Sequence, residues 1–506
     1  MAPNDIIMQM TWISFVLAVF PLALLMILLL WKRMSLLGVS AIAFSAVSVI
    51  SFLYWKISIG AFSMAVGKGF FVALDILVIV LGAIFFLEML RDLKVIDNIS
   101  YYLESFSKDY RIHVIVLAWL FENFIEGTAG FGAPAAIVAP LLVGLGLSPL
   151  RAVIIGLLGN SASVVFGAAG APIRVGFAGL DVSGVPLTAA LINCVGFIVP
   201  IFMLWIMVSD RRDKKVEFME TLPFAIWSGV AFVVPSLLSV GLGQEFPSII
   251  GSVIGLGLVV ITTRLGIFVP KTIRRMHELG KPPESLSLLK ASLPYIILIG
   301  LLVAGKLIIG SVSIKAPFGI LHNIGLFNPG FAFMLAGLFI AVFWKSAKGV
   351  LGISWRVALR RAVTPFLVIV CMSSVAQVMI SSGINSSGLP SSLMVMAEVF
   401  KTSALPFFAP FIGAFGSFLT GSATVSNIMF GGFLDAAGTA LSMNVSVLLS
   451  LALVGAAAGN MVALADLLAA EAIVGLKGKE REIISGVLIP CLIYVSLVGI
   501  IGVFLT

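Results

Sequence analysis

Apolar stretches of about 20 residues recur along the whole chain and are separated by short polar connections. Fourteen such stretches lie at 11–31, 36–55, 69–90, 112–147, 152–173, 188–208, 223–243, 249–269, 291–309, 329–344, 362–382, 404–435, 443–465 and 483–505. A helix of about 20 apolar residues is long enough to cross the hydrocarbon core of a bilayer. Helices within a membrane bundle are apolar on all sides, which explains the weak period of 3.6 residues. The pattern predicts an all-α polytopic membrane protein with about 12–14 transmembrane elements.

Most basic residues lie in six clusters between these stretches. The clusters are Lys32 and Arg33; Arg91, Lys94, Lys108 and Arg111; Arg211, Arg212, Lys214 and Lys215; Lys271, Arg274, Arg275 and Lys281; Lys345, Lys348, Arg356, Arg360 and Arg361; and Lys477, Lys479 and Arg481. Lys and Arg concentrate in the cytoplasmic loops of membrane proteins. Placing all six clusters in the cytoplasm predicts a multi-pass protein of the plasma membrane with both termini extracellular.

Composition supports a membrane protein and excludes several soluble classes. Of the 506 residues, 60% are hydrophobic and 11% are charged, whereas a soluble domain has roughly 25% charged residues. The net charge of +8 does not indicate nucleic-acid binding, because the cations flank apolar stretches and do not form one basic face. Three Cys and three His residues lack metal or redox spacing, so no metal and no cofactor is predicted. The first ten residues carry no cation and precede a run long enough to span, which argues against a cleaved signal peptide.

Two short segments in opposite halves of the chain are similar to each other. Phe124–Ala129 has the sequence FIEGTA and Phe418–Ala423 has FLTGSA, and a Gly-Asn pair follows each of them, at 159–160 and at 459–460. The loop before the first copy carries four cations, whereas the loop before the second carries only Lys401, and the loops after the Gly-Asn pairs show the reverse. The two copies are therefore predicted to enter the membrane from opposite sides. Inverted repeats with interrupted helices at matching positions indicate the binding site of a transporter.

This repeat predicts four regions, two of which contain an interrupted helix or a re-entrant hairpin. They are N-terminal scaffold helices at 1–90, a first inverted repeat at 91–208 with its hairpin near 121–137, central scaffold helices with cytoplasmic loops at 209–361, and a second inverted repeat at 362–506 with its hairpin near 415–430.

The interruptions are candidates for an anion site. Segment 127–134 holds three glycines and a proline, and 421–427 is rich in small and hydroxyl residues, so neither favours a regular helix. Helix N-termini that converge in the membrane present amide groups and partial positive charge to an anion. The predicted substrate-binding residues are Gly127, Thr128, Gly130, Gly132, Asn160, Ser161, Arg174, Ser422, Thr424, Ser426, Asn427 and Asn460. The alternative is that the small residues only allow close packing of helices.

Ionisable residues inside apolar stretches mark transport pathways, because burying a charge in the membrane is costly. Glu126 adjoins the first break, and a buried carboxyl group suits a proton carrier; Glu122 and Asp466 are further candidates. The alternative roles are salt bridges or helix-end charges. Arg174 is a candidate for holding a carboxylate by two hydrogen bonds, and snorkelling to the interface is its alternative role. The sequence suggests no partner for Lys306 and no role for Asp75.

Segment 124–137, FIEGTAGFGAPAAI, resembles the F-x-E-G-x-A-G-F-G-x-P-x-A-I signature of the L-lactate permease family. Blocks at 159–168, 416–427 and 472–480 resemble further parts of that family. The resemblance implies secondary uptake of lactate, and in some members glycolate, coupled to protons, with paired hairpins and elevator-like movement. This chain departs from the family pattern at Ala423, Val425 and Asn460, where the family has Asp, Ser and Lys. The departures leave the substrate and the coupling ion open, and Arg174 is one candidate for the missing positive charge.

The sequence therefore predicts a symporter, not an enzyme, that carries a small carboxylate with a proton through the lipid bilayer. Three alternatives stay open at this point. Ser422, Thr424 and Asn427 offer oxygen ligands for sodium coupling, and paired interrupted helices also occur in passive channels. An intramembrane enzyme would need a nucleophile beside a base, and no convincing pair is evident. Which monocarboxylate is carried is left open, as is a homodimer.

Overall fold

The computed structural model describes residues 12–30, 34–130, 133–274, 286–310, 312–317, 320, 323–344, 347–399 and 402–505, most of them helical. The helices of the first half are α1 (Trp12–Leu30), α2 (Leu36–Leu53), α3 (Ile59–Asp92), α4 (Val95–Ser105), α5 (Tyr110–Ile115), α6 (Glu122–Thr128), α7 (Ala133–Gly144), α8 (Pro149–Gly159), α9 (Gly167–Arg174), α10 (Val185–Asn193), α11 (Val199–Val208), α12 (Lys214–Ser239) and α13 (Pro247–Arg264). A π-helix at Val116–Phe121 joins α5 to α6, and 3₁₀ turns lie at Ala162–Phe166, Cys194–Ile198 and Val240–Leu242.

The second half continues in the same way. Its helices are α14 (Leu288–Ile309), α15 (Pro329–Phe343), α16 (Ala347–Ser381), α17 (Ser392–Val399), α18 (Leu405–Thr420), α19 (Ala423–Ala440), α20 (Val445–Gly459), α21 (Leu464–Ile473) and α22 (Glu480–Leu505), with a 3₁₀ turn at Asn460–Val462. Two short strands, β1 (Ser313–Lys315) and β2 (Asn323–Gly325), pair antiparallel between α14 and α15 with Ile314 opposite Ile324. The sequence did not predict this hairpin.

Ten helical stretches among the described residues are long and apolar enough to span a membrane. They are Trp12–Leu29, Leu36–Leu53, Ile59–Asp92, Val185–Val208, Lys214–Leu242, Pro247–Arg264, Leu288–Ile309, Gly349–Ser381, Val445–Ile473 and Glu480–Leu505. The pair Pro149–Gly159 and Ala162–Arg174, bent by 42°, would make an eleventh, and shorter apolar helices lie at Pro134–Gly144, Pro329–Phe343 and Leu405–Thr420. The prediction of an all-α polytopic membrane protein is confirmed. The relation between the two predicted repeats stays a prediction.

Side-chain caps define several helix starts. The hydroxyl groups of Ser35, Ser58 and Ser287, and the amide oxygen of Asn444, accept hydrogen bonds from backbone N–H groups in the first turns of α2, α3, α14 and α20. Such caps satisfy backbone donors that have no partner within the helix.

The long helices α3 and α16 pack along each other, and α15 packs against α3. At one crossing, a Cβ atom at Gly82 would collide with the Gly330 carbonyl, so only glycine allows the approach of α3 and α15. The boundary predicted between 361 and 362 falls inside α16, so the predicted second repeat begins partway along this helix.

A second close crossing joins α18 to α20. Gly455 and Gly459 lie one turn apart on α20, and side chains there would collide with backbone atoms of Pro410 and Ala414 on α18. Lipid provides no hydrophobic driving force between helices, so close contact of small residues is a main source of packing energy. The crossing holds the C-terminal end of α18, where the second predicted break lies.

The loops of the protein meet at two opposite ends of α3. At one end Arg111 is fully buried, contacts Asp109 at 2.7 Å and Glu220 at 3.5 Å, and donates to the Thr272 carbonyl at 2.6 Å. At the other end, Ile57 forms a bridge with Asn385. The contacts of Arg111 join segments that lie beside three of the basic clusters, whereas Asn385 lies in a loop with few cations. Which end faces the cytoplasm stays a prediction.

Candidate functional site

Both predicted hairpins are interrupted where the sequence indicated. In the first, α6 ends at Thr128, α7 begins at Ala133, and Gly130 has a φ of +55°. In the second, α18 ends at Thr420, and Gly421 follows it in a left-handed conformation with φ +71°. Glycine adopts this conformation without steric cost, which accounts for its place at a helix end.

Ser422 then starts the helix α19. Its backbone is extended, with φ −156° and ψ 119°, and its hydroxyl oxygen accepts a hydrogen bond from Val425 N at 3.4 Å. The first turn of α19 contains no acidic residue. The start of α19 therefore presents a hydroxyl group and the positive end of an 18-residue helix.

A third interruption follows α8. Within α9, Ala168, Ala169 and Gly170 have left-handed φ values of +43°, +51° and +81°. A left-handed conformation costs a residue with a Cβ atom roughly 1–2 kcal/mol. Backbone strain of this kind concentrates at functional sites. The sequence predicted no break here, although the Gly-Ala-Ala-Gly-Ala-Pro composition of residues 167–172 is a signal of one.

The three interruptions meet at one small cavity with about 320 Å³ of empty space, including the part at its open mouth. Residues from both halves of the chain line it: Glu126, Val164, Gly167, Ala168, Pro172, Gly421, Ser422, Ala423, Thr424 and Asn460. Four of the predicted site residues, Glu126, Ser422, Thr424 and Asn460, are therefore brought together. A side chain at Gly167 would meet Glu126 Oε1, so a larger residue there would make the carboxyl group move.

Asp466 is connected to this cavity through an amide. Asn460 Nδ2 donates a hydrogen bond to Asp466 Oδ2 at 3.1 Å, and Asn460 Oδ1 accepts one from Ser417 Oγ at 3.0 Å. All three side chains are buried. One residue thus separates the Asp466 carboxyl group from the space that Glu126 lines.

Glu122 lies one turn before Glu126 and is fully buried outside the cavity. Neither of its carboxyl oxygens forms a hydrogen bond to a described residue, and Oε2 lies against the backbone of Gly159. Glu122 directly follows the π-helix, an irregularity that often accompanies functional sites. The side-chain amides of Asn123 and Asn160 are also buried without a partner in the described part of the chain.

Other predicted residues make structural contacts near the cavity but do not line it. Thr128 and Ser161 donate to backbone carbonyls of their own helical segments, and Ser426 donates to the Gly413 carbonyl at 2.8 Å. Gly127 packs closely against Ile249 on α13, as the packing alternative proposed. Gly132 lies outside the described residues.

Asn427 links the two halves of the chain. Its Nδ2 donates a hydrogen bond to the Pro172 carbonyl at 3.0 Å, and Pro172 itself lines the cavity. Its Oδ1 is buried without a hydrogen bond to any described residue. The side chain therefore fastens α19 to the third interruption.

The structure does not bring Arg174 to the cavity. Its Nη2 donates to the Phe327 carbonyl at 2.8 Å and lies 3.9 Å from Asp75 Oδ2. Asn328 Nδ2 donates to the Asp75 backbone carbonyl at 2.9 Å. This arrangement gives Asp75 a partner that the sequence did not suggest.

Two further membrane charges also have partners. Lys306 Nζ lies 3.2 Å from Glu245 Oε1, and Glu88 is paired with Arg361. Sequence spacing could not predict such pairs, because their members are far apart in the chain. Within the described ranges, no group of three His, Cys, Asp or Glu side chains is placed to hold a metal ion.

These features define a polytopic helical membrane protein whose interrupted helices meet at a buried polar cavity, an arrangement found in secondary transporters. The model of the L-lactate permease family matches residues 14–310 and 306–506. The chain belongs to the L-lactate permease family. The resemblance seen in the sequence is therefore confirmed, and the family is one of transport proteins, not of enzymes.

Curated relatives match along nearly the whole chain. A putative L-lactate permease of Haemophilus influenzae is 28% identical over 543 residues, which cover 97% of this chain and 98% of that protein. The L-lactate permeases of Salmonella typhi and Escherichia coli are 29% and 28% identical, each over 97% of this chain and 95% of the relative.

Proposed function

We propose that the protein is a secondary transporter that moves L-lactate, or a related small 2-hydroxy monocarboxylate such as glycolate, across the plasma membrane together with a proton. Membership of the L-lactate permease family and the names of the relatives support the substrate class. The observation that carries the mechanism is that Glu126 and the start of α19 line the same cavity.

The start of α19 is the proposed anion-binding element. The substrate carboxylate would accept hydrogen bonds from the hydroxyl groups of Ser422 and Thr424 and from backbone N–H groups near Ala423. No carboxylate in the first turn competes for this position. Few other polar side chains line the cavity, which suits a transporter that must release what it binds.

Glu126 is the proposed proton carrier. Its carboxyl group lies across the same cavity, and its Oε2 is buried without a hydrogen bond to a described residue. A deprotonated Glu126 would repel the anion, whereas a protonated one can donate a hydrogen bond to it. This difference couples substrate binding to protonation. Asp466 and Glu122 are within electrostatic range of Glu126 and are candidates for passing the proton on.

Elevator-like alternating access is part of the proposal. The residues around the three interruptions would move together, and helices such as α3 and α16 would stay fixed. The contact between Arg174 on α9 and Asp75 on α3 would then lie between the moving and the fixed parts. It would be one of the contacts that break during transport.

Uptake of labelled lactate into proteoliposomes tests this proposal. One anion carried with one proton is electrically neutral, so acid outside should drive saturable accumulation that does not respond to a clamped membrane voltage. A difference of one pH unit corresponds to about 1.4 kcal/mol, or roughly tenfold accumulation.

Competition with glycolate and other monocarboxylates would define the substrate range. Accumulation driven by a sodium gradient at equal pH would show that sodium, and not the proton, is the coupling ion. Uptake that never exceeds equilibrium would indicate a passive channel and contradict the proposal.

A further inference from the structure

Another concave surface lies where α11 meets α12, and none of its lining residues lines the cavity at the interrupted helices. It is an open groove with about 960 Å³ of empty space, including the part that is open to its surroundings. Apolar side chains form most of the wall, and two lysines contribute to it; the residues are Trp205, Val208, Ser209, Phe218, Met219, Lys214 and Lys215. We call it the 205–219 groove.

The apolar wall is exposed on the outside of the helical bundle. Trp205 is 49% exposed and Met219 is 64% exposed, and both belong to helical stretches that are long and apolar enough to span a membrane. Tryptophan is enriched where apolar helices meet the headgroup layer. The 205–219 groove therefore runs from the acyl-chain region towards the membrane surface.

The carboxylates around this end of α12 are already paired with other residues. Asp210 is paired with Arg151, and Asp213 lies 3.4 Å from Arg274 Nη2. A side chain that is already paired contributes little net charge to its surroundings.

The two carboxylates further along α12 are paired as well. Glu217 accepts a hydrogen bond from the Tyr110 hydroxyl at 3.2 Å, and Glu220 accepts one from Thr272 Oγ1 and lies 3.5 Å from Arg111 Nη1. None of these carboxylates lines the groove, so its polar end carries the positive charge of the two lysines.

Lys214 and Lys215 supply that positive charge. Both are exposed, and neither forms an ion pair with another residue in the part of the chain that the structure describes. They lie in the first turn of α12, whose N-terminal end adds partial positive charge. Two cations at a helix N-terminus are unfavourable for the helix itself, so an anion at this place would relieve the repulsion.

We propose that the 205–219 groove binds an anionic phospholipid. The headgroup phosphate lies between Lys214 and Lys215, and an acyl chain lies along Trp205, Phe218 and Met219. Basic residues next to membrane helices attract anionic lipids, and each contributes roughly 1 kcal/mol near the membrane surface. The site is independent of the cavity that Glu126 lines, and it does not depend on which solute is carried.

Lipid titration of the purified protein in an uncharged detergent tests the proposal. Phosphatidylglycerol should raise the midpoint of thermal unfolding more than phosphatidylcholine does, because a ligand that binds the folded state stabilises it. In the double variant K214Q/K215Q this preference should disappear. Native mass spectrometry should then show binding of phosphatidylglycerol weakened by about thirtyfold, or about fivefold for each single variant.

A matched control removes two exposed cations elsewhere. The variant R356Q/K477Q loses the same charge and should keep the full preference for phosphatidylglycerol. The variant W205L keeps both lysines and should weaken binding of both lipids by shortening the apolar wall. If K214Q/K215Q does not fold, K214Q, K215Q and W205L test the site separately.

Several results would overturn the proposal. Equal stabilisation by the two lipids, or an unchanged preference in K214Q/K215Q, would show that the groove does not select anionic lipid. The same stabilisation by inorganic phosphate alone would assign the lysines to a soluble anion. A dimer in detergent that W205L dissociates would assign the groove to a second copy of the chain.

Discussion

The carboxyl groups of the membrane region differ in the contacts that surround them. Glu126 lines the cavity, Asp466 reaches it through Asn460, and Glu122 is buried beside it without a described partner. Glu245 and Glu88, by contrast, are paired with Lys306 and Arg361. Paired carboxylates serve structure, whereas the first three are the candidates for the proposed proton transfer.

The variant E126Q preserves the shape of the side chain but cannot release a proton. We expect accumulation of lactate under a pH gradient to fall to the level seen without a gradient, because substrate and proton are no longer coupled. Exchange of internal for external lactate should persist. Accumulation and exchange are both measured with labelled lactate in proteoliposomes.

The control for this variant is E482Q, which changes an exposed carboxylate at the start of α22 and should transport normally. Undiminished accumulation in E126Q would assign the coupling to another group, with E122Q and D466N as the next variants.

Arg174 is predicted to contribute to stability through its contact with Asp75, and not to substrate binding. The pair is mostly buried, so removing one partner leaves the other charge without its counter-charge and should cost up to about 3–5 kcal/mol of stability. R174Q and D75N should lower the unfolding midpoint similarly, the double variant should be no worse than either, and KM for lactate should stay unchanged. Thermal unfolding and uptake kinetics of the four proteins form a double-mutant cycle. A raised KM in R174Q alone would instead support the role in substrate binding that the sequence suggested.

At the scale of elements, the sequence predicted the membrane helices and two of the three interruptions. Length and hydropathy define a membrane helix, and clustered glycine and proline residues mark a break, so both are local signals. The third interruption was missed although Gly167, Gly170 and Pro172 are a local signal of it, because the left-handed Ala168 and Ala169 are residues that favour helices. Thr128 and Ser161 have suitable chemistry for a site, but both hydroxyl groups donate to backbone carbonyls of their own helical segments, and residue type alone does not reveal this.

The break between α18 and α19 depends on Gly421. Its φ is +71°, and a Cβ atom there would lie 2.8 Å from Ala465 Cβ. We expect G421A to lose about 1–2 kcal/mol of stability and most transport activity, because the backbone beside Ser422 must shift. The control is G475A, where φ is +75° but no atom lies within 4 Å. G475A should lose similar stability and keep its uptake rate; equal uptake by both variants would contradict a role of this turn in the site.

The crossing of α18 and α20 depends on Gly455. A Cβ atom there would collide with the Pro410 carbonyl, so G455A should force the helices apart and lower stability by about 1–3 kcal/mol. The exposed Gly300 on α14 has no atom within 4 Å of such a Cβ, and G300A should change stability by less than about 1 kcal/mol. Thermal unfolding in detergent compares the two. A stable G455A would show that the crossing can relax.

At the scale of the whole molecule, the distribution of charge divides the protein into two ends. Buried ion pairs gather the loops around Arg111 at one end, and loops with few cations meet around Ile57 and Asn385 at the other. The sequence could predict this division because the number of cations in each loop can be read directly from the sequence. It could not predict the individual pairs, which depend on how the helices are arranged.

Cysteine labelling in intact cells tests the orientation. Ser386 and Lys477 are both exposed, in a cation-poor and a cation-rich loop respectively. A membrane-impermeant maleimide should label S386C in intact cells and K477C only after permeabilisation, because cation-rich loops stay in the cytoplasm. The native cysteines Cys194, Cys371 and Cys491 are free thiols, so the unmodified chain is the background control. The opposite labelling pattern would reverse the predicted orientation.

The hydrogen bond from Asn427 to Pro172 joins residues that are 255 positions apart. During synthesis, the ribosome therefore delivers one wall of the cavity long before the other. Until α19 is inserted, the Pro172 carbonyl lacks its amide donor and Glu126 lacks the facing wall. Completion of the site is thus a late step of biogenesis, and a nascent chain stalled before residue 423 would expose these polar groups inside the membrane to quality-control proteases.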